Sequence, residues 1–342
     1  MLRSTRFGLV VFAALLVVGG GYTAFWFLVA RRIETGVADW ALSQRADKID
    51  FSWQKVRVSG YPAAFRVDLD SAALRDGAVT PSPEFHIPVL SGTARPWDLA
   101  DWHIAAPEGF TAELAAGGRS SPAKLMARTA DGLTSIESDG GWKLWLDLKD
   151  VTVEGGARIR ASSARTTINV PPRSLHGHTE PVLDVTVDAN QINLPVAVGP
   201  LGDTIDELGF GATVKGAIPS GKLADAVAAW RDAGGTIELG NLRLKWGALN
   251  ATATGTIALD QELQPTGGFS GAIQGYDQIL TALVQNGQMR ASDAGLARIA
   301  LTLLAKAGPD GKPEIRTAFT IQNGQMFLGP AKLGRLPHIA WE

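Results

Sequence analysis

The sequence predicts a mainly β chain with a few helices, of the α+β class. A single N-terminal transmembrane helix leads into a curved, glycine-rich antiparallel sheet, a taco-like groove with amphipathic helices packed on it or closing it. Three observations carry the helix and the antiparallel sheet. Residues 7–30 hold no charge, apolar residues beyond residue 50 recur with a period of two, and glycine (39) with proline (18) exceeds ordinary usage without a collagen period. The last feature demands many turns, hence many short strands.

The uncharged stretch lies between Arg6 and Arg31, and at ~1.5 Å per residue a helix of that length spans a hydrocarbon core of about 30 Å. A cleavable signal has a shorter apolar core and ends on small residues. Here Phe25, Trp26, Phe27 and Leu28 close the segment with bulk, so an uncleaved anchor is expected. The amino terminus, Arg3 and Arg6 before it against Arg31 and Arg32 after it favour, by a small difference, an N-terminus inside. No second run of such length follows, so the body lies on one side of the membrane. For a bacterium this means an inner-membrane, single-pass protein with its C-terminal body in the periplasm. Residues 31–48 continue the helical spacing through Ile33, Val37, Trp40 and Ala41, as a stalk.

Strands follow. Phe65, Val67 and Leu69 alternate with Arg66, Asp68 and Asp70; Trp142, Leu144, Leu146 and Leu148 alternate with Lys143, Trp145, Asp147 and Lys149. Leu183, Val185 and Val187, and then Leu242, Leu244 and Trp246, repeat the pattern. One-sided alternation is the mark of antiparallel sheet, since parallel strands covered on both faces are apolar throughout. Asp76-Gly77, Asp131-Gly132, Asp139-Gly140, Gly240 and Asn323-Gly324 read as the turns between runs.

Helical spacing interrupts the strands at about 221–233, after a candidate cap at Ser220, and at about 275–286 and 292–307, a helical hairpin around Asn286-Gly287. The Pro171-Pro172 to Pro181 stretch divides the body. The expected organisation is a cytoplasmic tip and anchor (1–30), a stalk (31–48), a first β-rich half (49–172) and a second half carrying the three helices (173–342).

Chemistry is sparse. Lys and Arg total 32 against 34 Asp and Glu, so there is no basic field for nucleic acid, and the absence of cysteine removes disulfides and thiolate chemistry. His176 and His178, with Glu180 and Asp184 near, are the closest histidines and read as loop residues rather than metal ligands; His86, His103 and His338 are scattered. Asp68 and Asp70 fall on an outward face. Asp98 and Asp101 flank Trp97 and Trp102, a combination that suits a sugar but equally suits tryptophans packed over a sheet end. No nucleophile, base and oxyanion site assemble. The expectation is no enzyme, no cofactor, no metal and no catalytic residue.

Two segments carry a resemblance. Trp53-x-x-Val56-x-Val58-x-Gly60-Tyr61-Pro62-x-x-Phe65 and Gln322-Asn323-Gly324-x-Met326-x-Leu328-Gly329-Pro330-x-x-Leu333 resemble those of a domain-of-unknown-function family of membrane-anchored Gram-negative envelope proteins. The likeness runs over nearly all of the chain after the anchor, and the family brings no catalytic residues. More loosely, an anchor followed by repeated strands is similar to the AsmA-like group, whose curled sheets hold lipid acyl chains and are linked to phospholipid movement between membranes. An apolar trough of that kind draws its lining from Phe65, Val67, Leu69, Trp142, Leu144, Leu146, Leu183, Val185, Val187, Leu242, Leu244 and Trp246. Two expectations stay open: a lipid-holding envelope protein with phospholipid as partner, or a structural protein with a closed core that binds other proteins. Ten to fifteen strands extend only about 50–70 Å at ~4.8 Å apart, short for a bridge between membranes.

Overall fold

The computed structural model describes residues 2–77, 82–114, 123–172, 179–219, 221–287, 289–308, 310–328, 331–339 and 341, with side chains for all of these except 2–14, 47, 114, 328 and 331–333. The chain opens with one helix, α1 (Leu2–Gln44), which joins the expected anchor and stalk without a break. Strands follow in chain order: β1 (Ile49–Ser52), β2 (Lys55–Ser59), β3 (Phe65–Asp76), β4 (Glu84–Arg95), β5 (Asp98–Ala106) and β6 (Phe110–Leu114). Next come β7 (Ala123–Ile136), β8 (Trp142–Gly155), β9 (Ala157–Val170), β10 (Pro181–Asn193) and β11 (Thr204–Lys215). Helix α2 (Leu223–Asp232) precedes β12 (Thr236–Trp246), β13 (Leu249–Leu259) and β14 (Pro265–Gln274). Helices α3 (Tyr276–Gln285) and α4 (Ala291–Leu304) precede β15 (Lys306–Ala307), β16 (Pro313–Gln322), β17 (Gln325–Leu328) and β18 (Ala331–Arg335).

All 18 strands belong to one sheet and every pairing is antiparallel. The pairings follow chain order. β1 and β2 share one side of β3, β5 and β6 lie end to end between β4 and β7, and β14 pairs past the short β15 with β16. The sheet is therefore a meander of about fifteen ranks, roughly 65–70 Å across at ~4.8 Å per rank. β9 pairs with β10 across the proline-rich stretch at 171–181, so the ladder continues from the first half into the second.

Local chemistry explains most reversals. Gly156 (φ 76°) turns β8 into β9, Gly140 (φ 90°) sits between β7 and β8, and Asn323 with Gly324, both at positive φ, close the β16–β17 hairpin. Two expected turns are corrected. Gly132 lies inside β7 opposite Leu146, where an added Cβ would stand 2.1 Å from the Trp145 carbonyl oxygen; its glycine allows close approach, not reversal. Gly240 lies inside β12, at a register shift between Leu239 and Leu242. Ser220 lies outside the described residues, and Lys222 occupies the N-cap of α2 without a side-chain hydrogen bond.

A second irregularity crosses the sheet. The ladder skips Ser71 opposite Pro88, Arg128 opposite Asp150, Asp150 opposite Ser162, Ser162 opposite Gln191 and Gln191 opposite Asp206. Ser71, Asp150 and Gln191 have left-handed φ of 53°, 49° and 51°. The β5–β6 break falls in the same line. Each skip lengthens the apolar spacing from two to three, as in Leu69 to Ala72 and Leu148 to Val151, so the apolar residues on both sides keep to one face. Interruptions of this kind bend strands. Stacked in one line, they form a crease across the first half of the sheet, with Arg128 and Asp150 ion-paired on its polar side.

Candidate functional site

Directly opposed residues share a face, so the registers assign every side chain. Leu146 faces Gly132 and Thr166, Thr166 faces Val187, Val187 faces Phe210, and Phe210 faces Leu242. The same face continues through Ala253 and Gly271 to Thr317 and, at the other end, through Ile104 and Gly92 to Val67. All twelve residues expected to line a trough, from Phe65 to Trp246, fall on this one apolar face.

Coverage of that face varies. Over β1–β4 it is roofed by α1: Trp26, Ala30, Ile33, Val37 and Ala41 pack on Phe65, Val67, Leu69, Ala72 and Phe51, and Phe65 is 0% exposed. Trp26 stacks on Phe65 with ring centroids 5.1 Å apart. At the opposite flank, α3 and the turn at 198–201 cover Leu249, Leu244 and Trp246 through Ile279, Ala282 and Leu201. Between them, the cluster of Ala106, Ala127, Ala130, Leu148 and Val151 contains strand residues only. It coincides with the crease. Along β8 exposure is 39% at Trp142, intermediate at Leu144 and Leu146, 8% at Leu148, 6% at Val151 and 39% again at Val153. The apolar face is deepest at its small alanines and rises toward both strand ends. Leu183, Val185, Val187 and Leu242 are likewise half-buried. The indole N–H of Trp246 has no hydrogen-bond partner among the described residues.

The opposite face is polar and cross-linked by charge. Arg243 bridges Asp188 and Glu207, Lys245 reaches Glu207 at 2.7 Å, and Arg165 reaches Asp147 at 2.7 Å. Burial raises the Asp68 carboxyl, but the Ser91 hydroxyl, donating at 2.6 Å, together with Arg66 and Arg57 outweighs it and holds the group below the usual carboxylate range. The Lys245 ammonium, aided by Arg243 against opposing burial, holds Glu207 low. Asp70, the partner of Arg57 at 2.8 Å, is on the same face.

The remaining sequence candidates are dispersed. His103 pairs with Asp131 across β5 and β7 at 3.1 Å, and Trp102 lays its ring over Gly92 while donating to the Leu99 carbonyl at 3.0 Å. Trp97 is 72% exposed on the β4–β5 turn. His176 and His178 lie outside the described residues. Among the described residues, no group of His, Asp and Glu is placed to hold a metal ion, and no helix is long and apolar enough to cross a membrane. The uncharged stretch 7–30 starts among residues whose side chains are not described.

One feature escaped sequence reasoning. The Gly60-Tyr61-Pro62-x-x-Phe65 segment is a clasp on α1. Tyr22 donates its hydroxyl to the Pro62 carbonyl, Thr23 and Tyr61 share a hydrogen bond of 2.7 Å, and Trp26 Nε1 donates to the Ala64 carbonyl at 3.1 Å. Gly60 (φ 103°) lets the loop turn so tightly that a Cβ there would lie 2.7 Å from the Ala64 carbonyl oxygen. The signal was present in the quoted motif, but the partner helix lies some 40 residues earlier (Tyr22 to Pro62).

A chain of this build, mainly β with one large antiparallel meander behind a long N-terminal helix, is a bacterial domain of unknown function. It belongs to the family described as "Uncharacterized protein conserved in bacteria (DUF2125)", which matches residues 26–337. No curated protein matches the chain.

Proposed function

We propose that the chain is an envelope protein, held in the bacterial inner membrane by residues 7–30 with its body in the periplasm, whose apolar face holds lipid acyl chains. It acts in phospholipid transfer or envelope homeostasis, with the membrane and phospholipid as partners and no catalytic step. The observation that carries this reading is the run of half-buried apolar residues from Leu144 and Leu146 through Val185 and Val187 to Leu242, beside the strand-only cluster at the crease and between the stretches that α1 and α3 cover. A bent sheet with apolar residues inside its bend leaves a trough that needs either a protein layer or a ligand. Acyl chains suit a lining of Leu, Val, Ile and Ala with few polar groups.

A photo-reactive amino acid placed at Leu146 or Val185, in cells grown with radiolabelled phosphate, tests it. Crosslinked phospholipid is expected from these two positions and not from Asp147 or Thr186 on the polar face. Leu146→Glu should then lower bound lipid while the full chain stays folded, because water can enter an open trough. The other reading, a closed structural core, requires that the label never exceeds the polar-face background and that Leu146→Glu unfolds the protein, since a buried unpaired charge costs several kcal/mol.

A further inference from the structure

The two ends of the sheet's strands are chemically unlike. One end carries the β2–β3 loop, the β4–β5 turn and the β7–β8 turn, in register through Phe65 with Ala94, Arg95 with Asp98, Asp101 with Ser135 and Ile136 with Trp142. Tyr61, Trp97, Ile136 and Trp142 are exposed there by 47%, 72%, 59% and 39%. Just inside it, Leu133 and Trp145 form a directly opposed, exposed pair on the polar face, where their strand neighbours Asp131 and Asp147 are charged. Apolar side chains thus appear on both faces at this height. A face-directed core does not produce that pattern; a layer crossed at fixed depth does, as in the aromatic belts at membrane interfaces. At the other end the exposed large apolar residues are Val153 and Val196 of the first half and the adjoining loop, and Trp40 and Leu42 of α1, among the described residues.

Helix α1 gives the depth. It lies along β3 from Phe65 beside Trp26 to Leu74 in the cluster with Ala41, so its earlier residues project beyond the aromatic end. The clasp grips it at Tyr22, Thr23, Trp26 and Phe27, inside the uncharged stretch that ends at Ala30. The clasp itself has no charge from Val58 to Phe65. Trp97 is about two ranks and Trp142 about four ranks from β3, roughly 10 and 19 Å along the same edge. Charge does not supply the attraction: without Arg3 and Arg6 the body has 30 positive and 34 negative residues.

We propose that this strand end is a membrane-docking rim, with Tyr61, Trp97, Ile136 and Trp142 seated in the interfacial layer of the bilayer that holds α1, so that the strands stand on the membrane. This rests on the anchor reading above and adds the orientation of the body. The chain has no cysteine, so single fluorescent labels can be attached to the full chain in vesicles of phosphatidylethanolamine and phosphatidylglycerol. The sites are Ala63→Cys and Ser138→Cys at the rim, Ala197→Cys at the far end and Leu16→Cys in α1, leaving every rim aromatic in place. A spin label on the lipid near the headgroup should quench the two rim sites about twofold, as expected for groups at that level, and leave position 197 bright. A spin label at the bilayer centre should quench position 16. If position 16 is quenched and both rim sites stay bright, the rim fails while the anchor stands. If position 16 also stays bright, both fail. Equal quenching at 63, 138 and 197 also overturns the rim, because the body then has no preferred end.

Discussion

Val67 and Val185 hold equivalent places in their strands, each between charged or polar neighbours and each on the same face of one sheet, yet Val67 is 6% exposed and Val185 is half-buried. The difference is what lies above them. Over β3 the helix α1 supplies Trp26, Ala30 and Ala41; the cluster along the crease holds strand residues alone, and Val185 belongs to none of the buried clusters among the described residues. Period-two alternation reports which face is apolar and is silent about what covers it.

Four changes break or sharpen that contrast, read by denaturant unfolding of the full chain. The largest is expected for Phe65→Ala, which empties the site stacked on Trp26 and should cost about 3–5 kcal/mol. Gly132→Ala acts in the uncovered region by another route, driving a Cβ toward the Trp145 carbonyl oxygen and costing roughly 1–3 kcal/mol. Val67→Ala removes two methyl groups from full burial, about 1.6 kcal/mol at ~0.8 kcal/mol each, whereas Val185→Ala should cost about half of that or less. Equal losses at 67 and 185 would mean that the middle of the sheet is as closed as its edge.

A fifth change probes the polar face. Ser91→Ala removes the hydroxyl that holds Asp68 low, at about 1 kcal/mol. A carboxyl whose folded pKa lies below its unfolded value stabilises fully above that ordinary value, near 3.8, and loses the contribution as pH falls through the folded pKa. The penalty of Ser91→Ala should therefore be complete at neutral pH and shrink in acid. A penalty independent of pH would assign it to packing instead.

Much of this architecture is legible in the residues, and the part that is not has a physical reason. The alternating runs, the turns at Asp139-Gly140 and Asn323-Gly324 and the helices near 223, 276 and 291 are short-range signals, and the chain obeys them locally. Gly132 and Gly240 mislead because a glycine serves a close approach inside a strand as well as it serves a turn. The crease is readable only afterwards, as a spacing of three between Leu148 and Val151 that ends one alternation and starts another. The clasp at Gly60–Phe65 and the uneven roof over the apolar face depend on contacts distant in the chain, which no local pattern encodes. For the candidate trough, the twelve residues gathered on one face were legible, and the depth at Ala127, Ala130 and Leu148 was not.

The C-terminal segment leaves β18 through a hydrogen bond from the Leu336 amide to the Gly324 carbonyl and returns to the β13–β14 turn. Gln264 pairs there with both backbone groups of Ile339, at 3.0 and 2.9 Å, and Trp341 Nε1 donates to the Leu263 carbonyl at 2.7 Å. This fastening bears on how the chain is made. In a meander each rank needs only the rank before it, so a chain emerging from a ribosome or a translocation pore at about 5–20 residues per second acquires its sheet in the order of synthesis, with short loops to close at each step. Such growth always leaves one raw edge, a template for the wrong strand until the next arrives. The tie to Gln264 reaches back past several finished ranks, so it forms only after those ranks are in place and fastens the later strands to the earlier ones.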